Sequence, residues 1–226
     1  MTTLSDYISE SILSSTRTGK AHMDEEFQNY GLDPAKVILN ADMSIDYNGD
    51  VKMNGRKLTK IPFKFRKVNG KFDISHNQLT TLEGCPEEIT DNFFCDHNRL
   101  TSLIGGPESV DGGYYCNDNL LTTLEGAPDS LAYAFNCSNN RLTNLNHCPK
   151  VVRGSFYCNY NDLTNLKGGP EQVGYDYVCI NNRLRSLEGL PKNLNKLLCY
   201  GNSKKFTVED VLAVCNISRL NIKTTR

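Results

Sequence analysis

The chain has 226 residues, with 25 Lys+Arg against 26 Asp+Glu and a formal net charge of -1. That balance lacks the basic field a non-specific nucleic-acid binder needs, and no run of eighteen apolar residues offers a membrane span. The first twenty residues, MTTLSDYISESILSSTRTGK, lack the basic start and unbroken apolar stretch of a secretory signal, so the nine cysteines are expected to be reduced thiols in a cytoplasmic protein.

In chain order, residues 1–20 read as an N-terminal helix and linker. Leu4, Tyr7, Ile8, Ser11 and Ile12 share one side of a short amphipathic helix over residues 4–13, and SSTRTGK follows as a linker. This helix suits either docking on the first repeat or a separate role in targeting or partner binding. Residues 21–53 are expected to form an N-terminal cap. Within it Ile45 to Val51 is predicted to be a hairpin turning at Asn48-Gly49, a pair that suits a type I′ turn.

Residues 54–205 keep a strict period. Cys95, Cys116, Cys137, Cys158, Cys179 and Cys199 are spaced by 21, 21, 21, 21 and 20 residues. Asparagines follow three positions later, at Asn98, Asn119, Asn140, Asn161, Asn182 and Asn202, with Asn77 one step ahead. Two leucine columns and a proline column keep the same step, so the chain is a repeat array. Period-two alternation places Phe72, Phe93, Tyr114, Phe135, Phe156, Tyr177 and Leu197 inward, beside Ile74 and the cysteines, on short parallel strands. The Asn column turns the chain out of each strand, its amide able to bond backbone groups of the turn and of the next turn of the array. Residues 206–226 form a C-terminal cap, with a helix predicted over Phe206–Ile217 and Thr207 as its N-cap.

The unit (I/V/L)-x-x-x-(F/Y)-x-C-x-x-N-x-L-T-x-L-x-G-x-P resembles the leucine-rich repeat, with Cys in a Leu slot. Its L-x-G-x-P ending is similar to the short bacterial type, which implies a parallel sheet on the concave side and an extended convex side. The fold class expected is therefore a mainly β repeat solenoid with a β cap at one end and a helical cap at the other. DISHNQLTTLEGCPEEI and FFCDHNRLTSLIGGPESV also resemble repeat proteins encoded by large tailed bacteriophages. That resemblance implies a protein made in, or delivered into, a bacterial cytoplasm; the function expected there, from the aromatic outward face of the strands, is binding or inhibiting a host defence protein. The alternative it leaves is a virion component, since YISESILSS is similar to cleavable capsid-targeting segments, with Ile8-Ser9-Glu10 as the matching tripeptide.

No catalytic function is expected. The cysteine column reads as core rather than as a redox or zinc centre, because C-x-x-C spacing is missing and buried thiols are inert. His76 and His97 share a slot on successive repeats beside Asp96 and Asp118; a solvated edge and a divalent-metal site both fit, and the solvated edge is the expectation. No cofactor, metal or nucleic-acid partner is predicted. The outward strand positions carry unusual aromatic content for a solvated sheet. Phe94, Tyr115, Tyr157, Val178 and Leu198 precede cysteines; Asp96, Asn117, Asn159 and Tyr200 follow them; Tyr160 stands one place further. These ten residues form the predicted partner-binding face, for a protein partner.

Overall fold

A computed structural model describes residues 17–225. It is mostly parallel β-sheet, wound as a β-solenoid of about nine turns with few helices. One face is a nine-stranded sheet whose members include Val51–Lys52, Phe72–Asp73, Phe93–Phe94, Tyr114–Tyr115, Phe135–Asn136, Phe156–Tyr157, Asp176–Val178, Lys196–Leu198 and Ile222–Lys223. The other face carries strands such as Glu88–Ile89 and Val151–Val152, grouped in sheets of five and three. No helix among the described residues is long and apolar enough to cross a membrane.

The repeat places equivalent residues in register. Phe72 pairs with Phe93, Phe93 with Tyr114, Tyr114 with Phe135, Phe135 with Phe156, Phe156 with Tyr177 and Tyr177 with Leu197. All seven side chains point inward with no measurable exposure, as predicted. The six rings from Phe72 to Tyr177 form a continuous spine with centroid separations from 4.8 Å (Phe93–Tyr114) to 6.1 Å (Phe135–Phe156). Each such side chain contributes about 1.5–3 kcal/mol by leaving water. No turn could bury this column alone, so stability resides in the contacts between turns.

The asparagines hold the turns together. Asn119 Nδ2 donates to the Cys116 carbonyl of its own turn (3.1 Å) and to Cys95 of the preceding turn (3.0 Å), while its Oδ1 accepts from Leu100 N (3.0 Å). Asn98, Asn161 and Asn182 repeat the pattern. One buried amide thus satisfies backbone groups that leave the ladder where the strand ends.

The ends depart from the sequence expectation. The helix predicted over residues 4–13 lies outside the described residues, but part of the predicted linker does not: Arg17–Lys20 open a helix, α1 (Arg17–Asn29). Its apolar side seats Phe27, whose ring is 5.1 Å from Phe63. The hairpin predicted at Asn48-Gly49 is not there. The antiparallel pair is Val37–Leu39 with Ile45–Tyr47, and Val51–Lys52 belongs to the nine-stranded sheet on the other face. Asn48-Gly49 is a corner between the two faces, stacked under its equivalent Asn69-Gly70, with Asn69 Nδ2 donating to Asn48 Oδ1 (2.6 Å). A Cβ on Gly70 would stand 2.6 Å from the Gly49 carbonyl, so glycine there permits close stacking of corners. An Asn-Gly pair alone cannot distinguish a hairpin turn from such a corner.

At the other end Thr207 caps α2 (Val208–Leu212) in a reciprocal capping box with Asp210, as its position predicted. The helix is shorter than predicted, yet Val211 and Cys215 are both buried. Beyond it Ile222–Lys223 adds a final parallel strand to the long sheet.

Candidate functional site

The outward face of the long sheet is built by the same alternation that buries the cysteines. Along its centre, in register, lie Phe94, Tyr115, Asn136, Tyr157, Val178 and Leu198. Phe94, Tyr115, Tyr157 and Leu198 are half-buried, and the Phe94 and Tyr115 rings stack at 4.8 Å with planes 8° apart. Val178 differs from expectation. It is 8 % exposed, a smaller side chain flanked by its register partners Tyr157 and Leu198, and it fills the floor of the face rather than projecting from it.

The next outward column holds Asp96, Asn117, Asn159 and Tyr200, all half-buried, and the Lys223 ammonium lies 5.7 Å from the Tyr200 ring centroid. Tyr160 is 53 % exposed and sits beside the sheet rather than on it, in a column of left-handed residues with φ of 55°. The face is therefore apolar toward its middle and C-terminal turns. Partial burial, with Tyr157 adding to it, pushes the Tyr115 phenol above its ordinary pKa, so the hydroxyl stays neutral and can donate.

Two exposed tyrosines extend this surface beyond the ten residues expected from the sequence. Tyr133 and Tyr175 are 64 % and 65 % exposed, at corner positions filled by Gly112 and Gly154 on alternate turns. With Tyr115, Gly112 and Gly154 they line a shallow depression of about 630 Å³. The signal was legible: the slot two residues ahead of the inward aromatic reads Gly112, Tyr133, Gly154, Tyr175. Such alternation places large rings over small floors.

All nine cysteines are free and buried, and desolvation drives the thiols of the repeat column upward, Cys199 to about 12. A thiol so shifted is not the thiolate that attacks, ligates or exchanges.

A second cluster lies beside the face. His76 and His97 occupy the left-handed column, with φ of 54° and 52°, and their rings stack with centroids 4.1 Å apart. Asp96 lies between them in donor geometry: its Oδ2 is 2.8 Å from His97 Nδ1 and 3.9 Å from His76 Nε2. Asp118 Oδ2 stands 3.7 Å from His97 Nε2. Asp118 is itself fixed, accepting from Asn117 Nδ2 (2.7 Å) and from Asn139. Arg99, Arg141 and Arg183, each one residue after an asparagine of the ladder on alternate turns, are exposed, Arg183 pairing with Asp162 at 2.8 Å.

No protein-family model, curated protein or solved structure matches the chain.

Proposed function

We propose that the chain is a leucine-rich-repeat solenoid, capped by the N-terminal hairpin region and by the C-terminal helix, and that it serves as a non-catalytic protein-binding module. In this reading the outward face of the long sheet is the concave face, and Tyr115 and Tyr157 are its anchors. The observation that carries the reading is the run of half-exposed apolar side chains, Phe94, Tyr115, Tyr157 and Leu198, on a rigid ladder of short strands. Cross-strand pairs such as Phe94–Tyr115 contribute only about 0.2–1 kcal/mol to a solvated sheet, whereas aromatic anchors on a preorganised surface carry much of the free energy of protein recognition, about 2 kcal/mol or more each at the centre of an interface. Neither strong charge nor reactive thiols compete with it. The resemblance to phage repeat proteins makes a bacterial host protein the natural occupant, and inhibition of a host defence the natural consequence.

The test is affinity capture from host lysate with the wild type and with Tyr115→Ala/Tyr157→Ala, circular dichroism confirming that both are folded. The proposal expects at least one captured protein to be lost in the variant. An unchanged set of captured proteins refutes the face as the site of binding.

A further inference from the structure

We propose that His76, Asp96 and His97 form a binding site for one divalent transition-metal ion of borderline softness, zinc being the representative case. Two imidazole nitrogens and one carboxylate oxygen form the donor set, which favours such metals over the oxygen-seeking magnesium and calcium.

One donor atom from each of the three lies within 4.8 Å of the others; Asp96 Oδ2 is 3.9 Å from His76 Nε2 and 2.8 Å from His97 Nδ1. Ligands at about 2.1 Å from a tetrahedral ion stand roughly 3.4 Å apart. Asp96 and His97, at 2.8 Å, therefore open slightly around an ion, and His76, at 3.9 Å from Asp96, closes by about half an ångström. Both imidazoles are exposed and can turn about their side-chain bonds to do so. The backbone need not move. His76 N donates to Asp96 O (3.0 Å) and His97 N to Asn117 O (3.1 Å), so the ladder fixes both left-handed positions in register.

The surroundings supply the support that a metal-bound histidine ordinarily has. With Nδ1 on the ion, His97 must carry its proton on Nε2, and that nitrogen faces Asp118 Oδ2 at 3.7 Å. That is beyond hydrogen-bond distance, and the turn of the His97 ring that seats an ion has to close it for the carboxylate to fix the tautomer and raise the basicity of the ligating nitrogen. Asp118 is held for this by Asn117 on its own turn and Asn139 on the next. Plain solvated histidines require no such chain of partners. With three protein ligands at the surface, the ion keeps at least one coordination position for water or an incoming group.

The test uses the full chain without a histidine tag, stripped with chelator and titrated with Co²⁺ by absorption and with Zn²⁺ by calorimetry. One equivalent is expected, with ligand-field bands of a nitrogen–oxygen site and reversal by chelator. His76→Ala and His97→Ala abolish it, Asp118→Asn weakens it about 10- to 100-fold, and His147→Ala leaves it unchanged. Dichroism confirms that the variants fold. Absence of one-equivalent binding, binding that survives His76→Ala/His97→Ala, or intense thiolate-to-cobalt absorption overturns the proposal.

Discussion

Tyr177 and Gly169 offer a sharp test of how the core is packed. The Tyr177 hydroxyl is buried without a hydrogen-bond partner among the described residues, as is that of Tyr114. In both turns the position eight residues earlier is glycine, Gly169 and Gly106; beneath Phe93, Phe135 and Phe156 it is Cys85, Ala127 and Cys148. The glycine makes room for the hydroxyl. A Cβ on Gly169 would stand 3.0 Å from Leu145 Cδ1, 3.0 Å from Leu166 O and 3.3 Å from the Tyr177 hydroxyl. Gly169→Ala should therefore destabilise the wild type by about 1–2 kcal/mol through overpacking. Tyr177→Phe removes an unpaired buried hydroxyl whose desolvation costs about 1–3 kcal/mol and leaves a small gap, so it should stabilise by about 1 kcal/mol. In that background Gly169→Ala fills the gap, as Ala127 does beneath Phe135, and should become neutral or stabilising by up to about 0.8 kcal/mol. The two substitutions are coupled by about 1–3 kcal/mol. Urea denaturation of the four proteins measures this, with constant m-values confirming one cooperative transition. An alanine that costs the same in both backgrounds refutes the size-matching argument. A Tyr177→Phe variant that loses more than about 1 kcal/mol shows that the hydroxyl has a partner.

Other outcomes follow from the same structure. Asn119→Ala strips four hydrogen bonds from buried backbone groups on two turns and should cost about 3 kcal/mol, with hydrogen exchange accelerated first at Leu100 N. All nine thiols should resist a thiol reagent in the native protein and react together on unfolding; rapid labelling of Cys116 or Cys158 in the folded state would contradict their burial. The Lys204 side chain, and then the Thr207 backbone, hold the Asp210 carboxyl at about 2, below its ordinary 3.8. The contribution of this depressed carboxylate is fully present above pH 3.8 and is lost as pH falls through about 2. NMR titration of Asp210 checks this, and Lys204→Met should move its midpoint upward.

The repeat made most of the fold legible. Phe135, Cys137 and Asn140 recur at a fixed step, and a recurring step specifies parallel in-register stacking, so inward and outward residues follow from alternation alone. Where the step is broken, local signals misled. Asn48-Gly49 has the chemistry of a hairpin turn, yet its position one period before Asn69-Gly70 makes it a corner. Arg17–Lys20 look like a linker because the apolar partner that orders the helix, Phe63, is remote in sequence. The outward column beside the cysteines encodes Tyr115 and Tyr157, but it also includes the buried Val178 and leaves out Tyr133 and Tyr175. Relative exposure of neighbours across turns depends on the size of adjacent side chains, which a single column does not encode.

The binding face is tested most directly by a photo-crosslinking amino acid placed in turn at Tyr115, Tyr157 and the exposed Ile104, which lies off the sheet. The account predicts that Tyr115 and Tyr157 trap the same host protein in living cells and that Ile104 does not. Equal trapping from Ile104, or none from the two tyrosine positions, would contradict it.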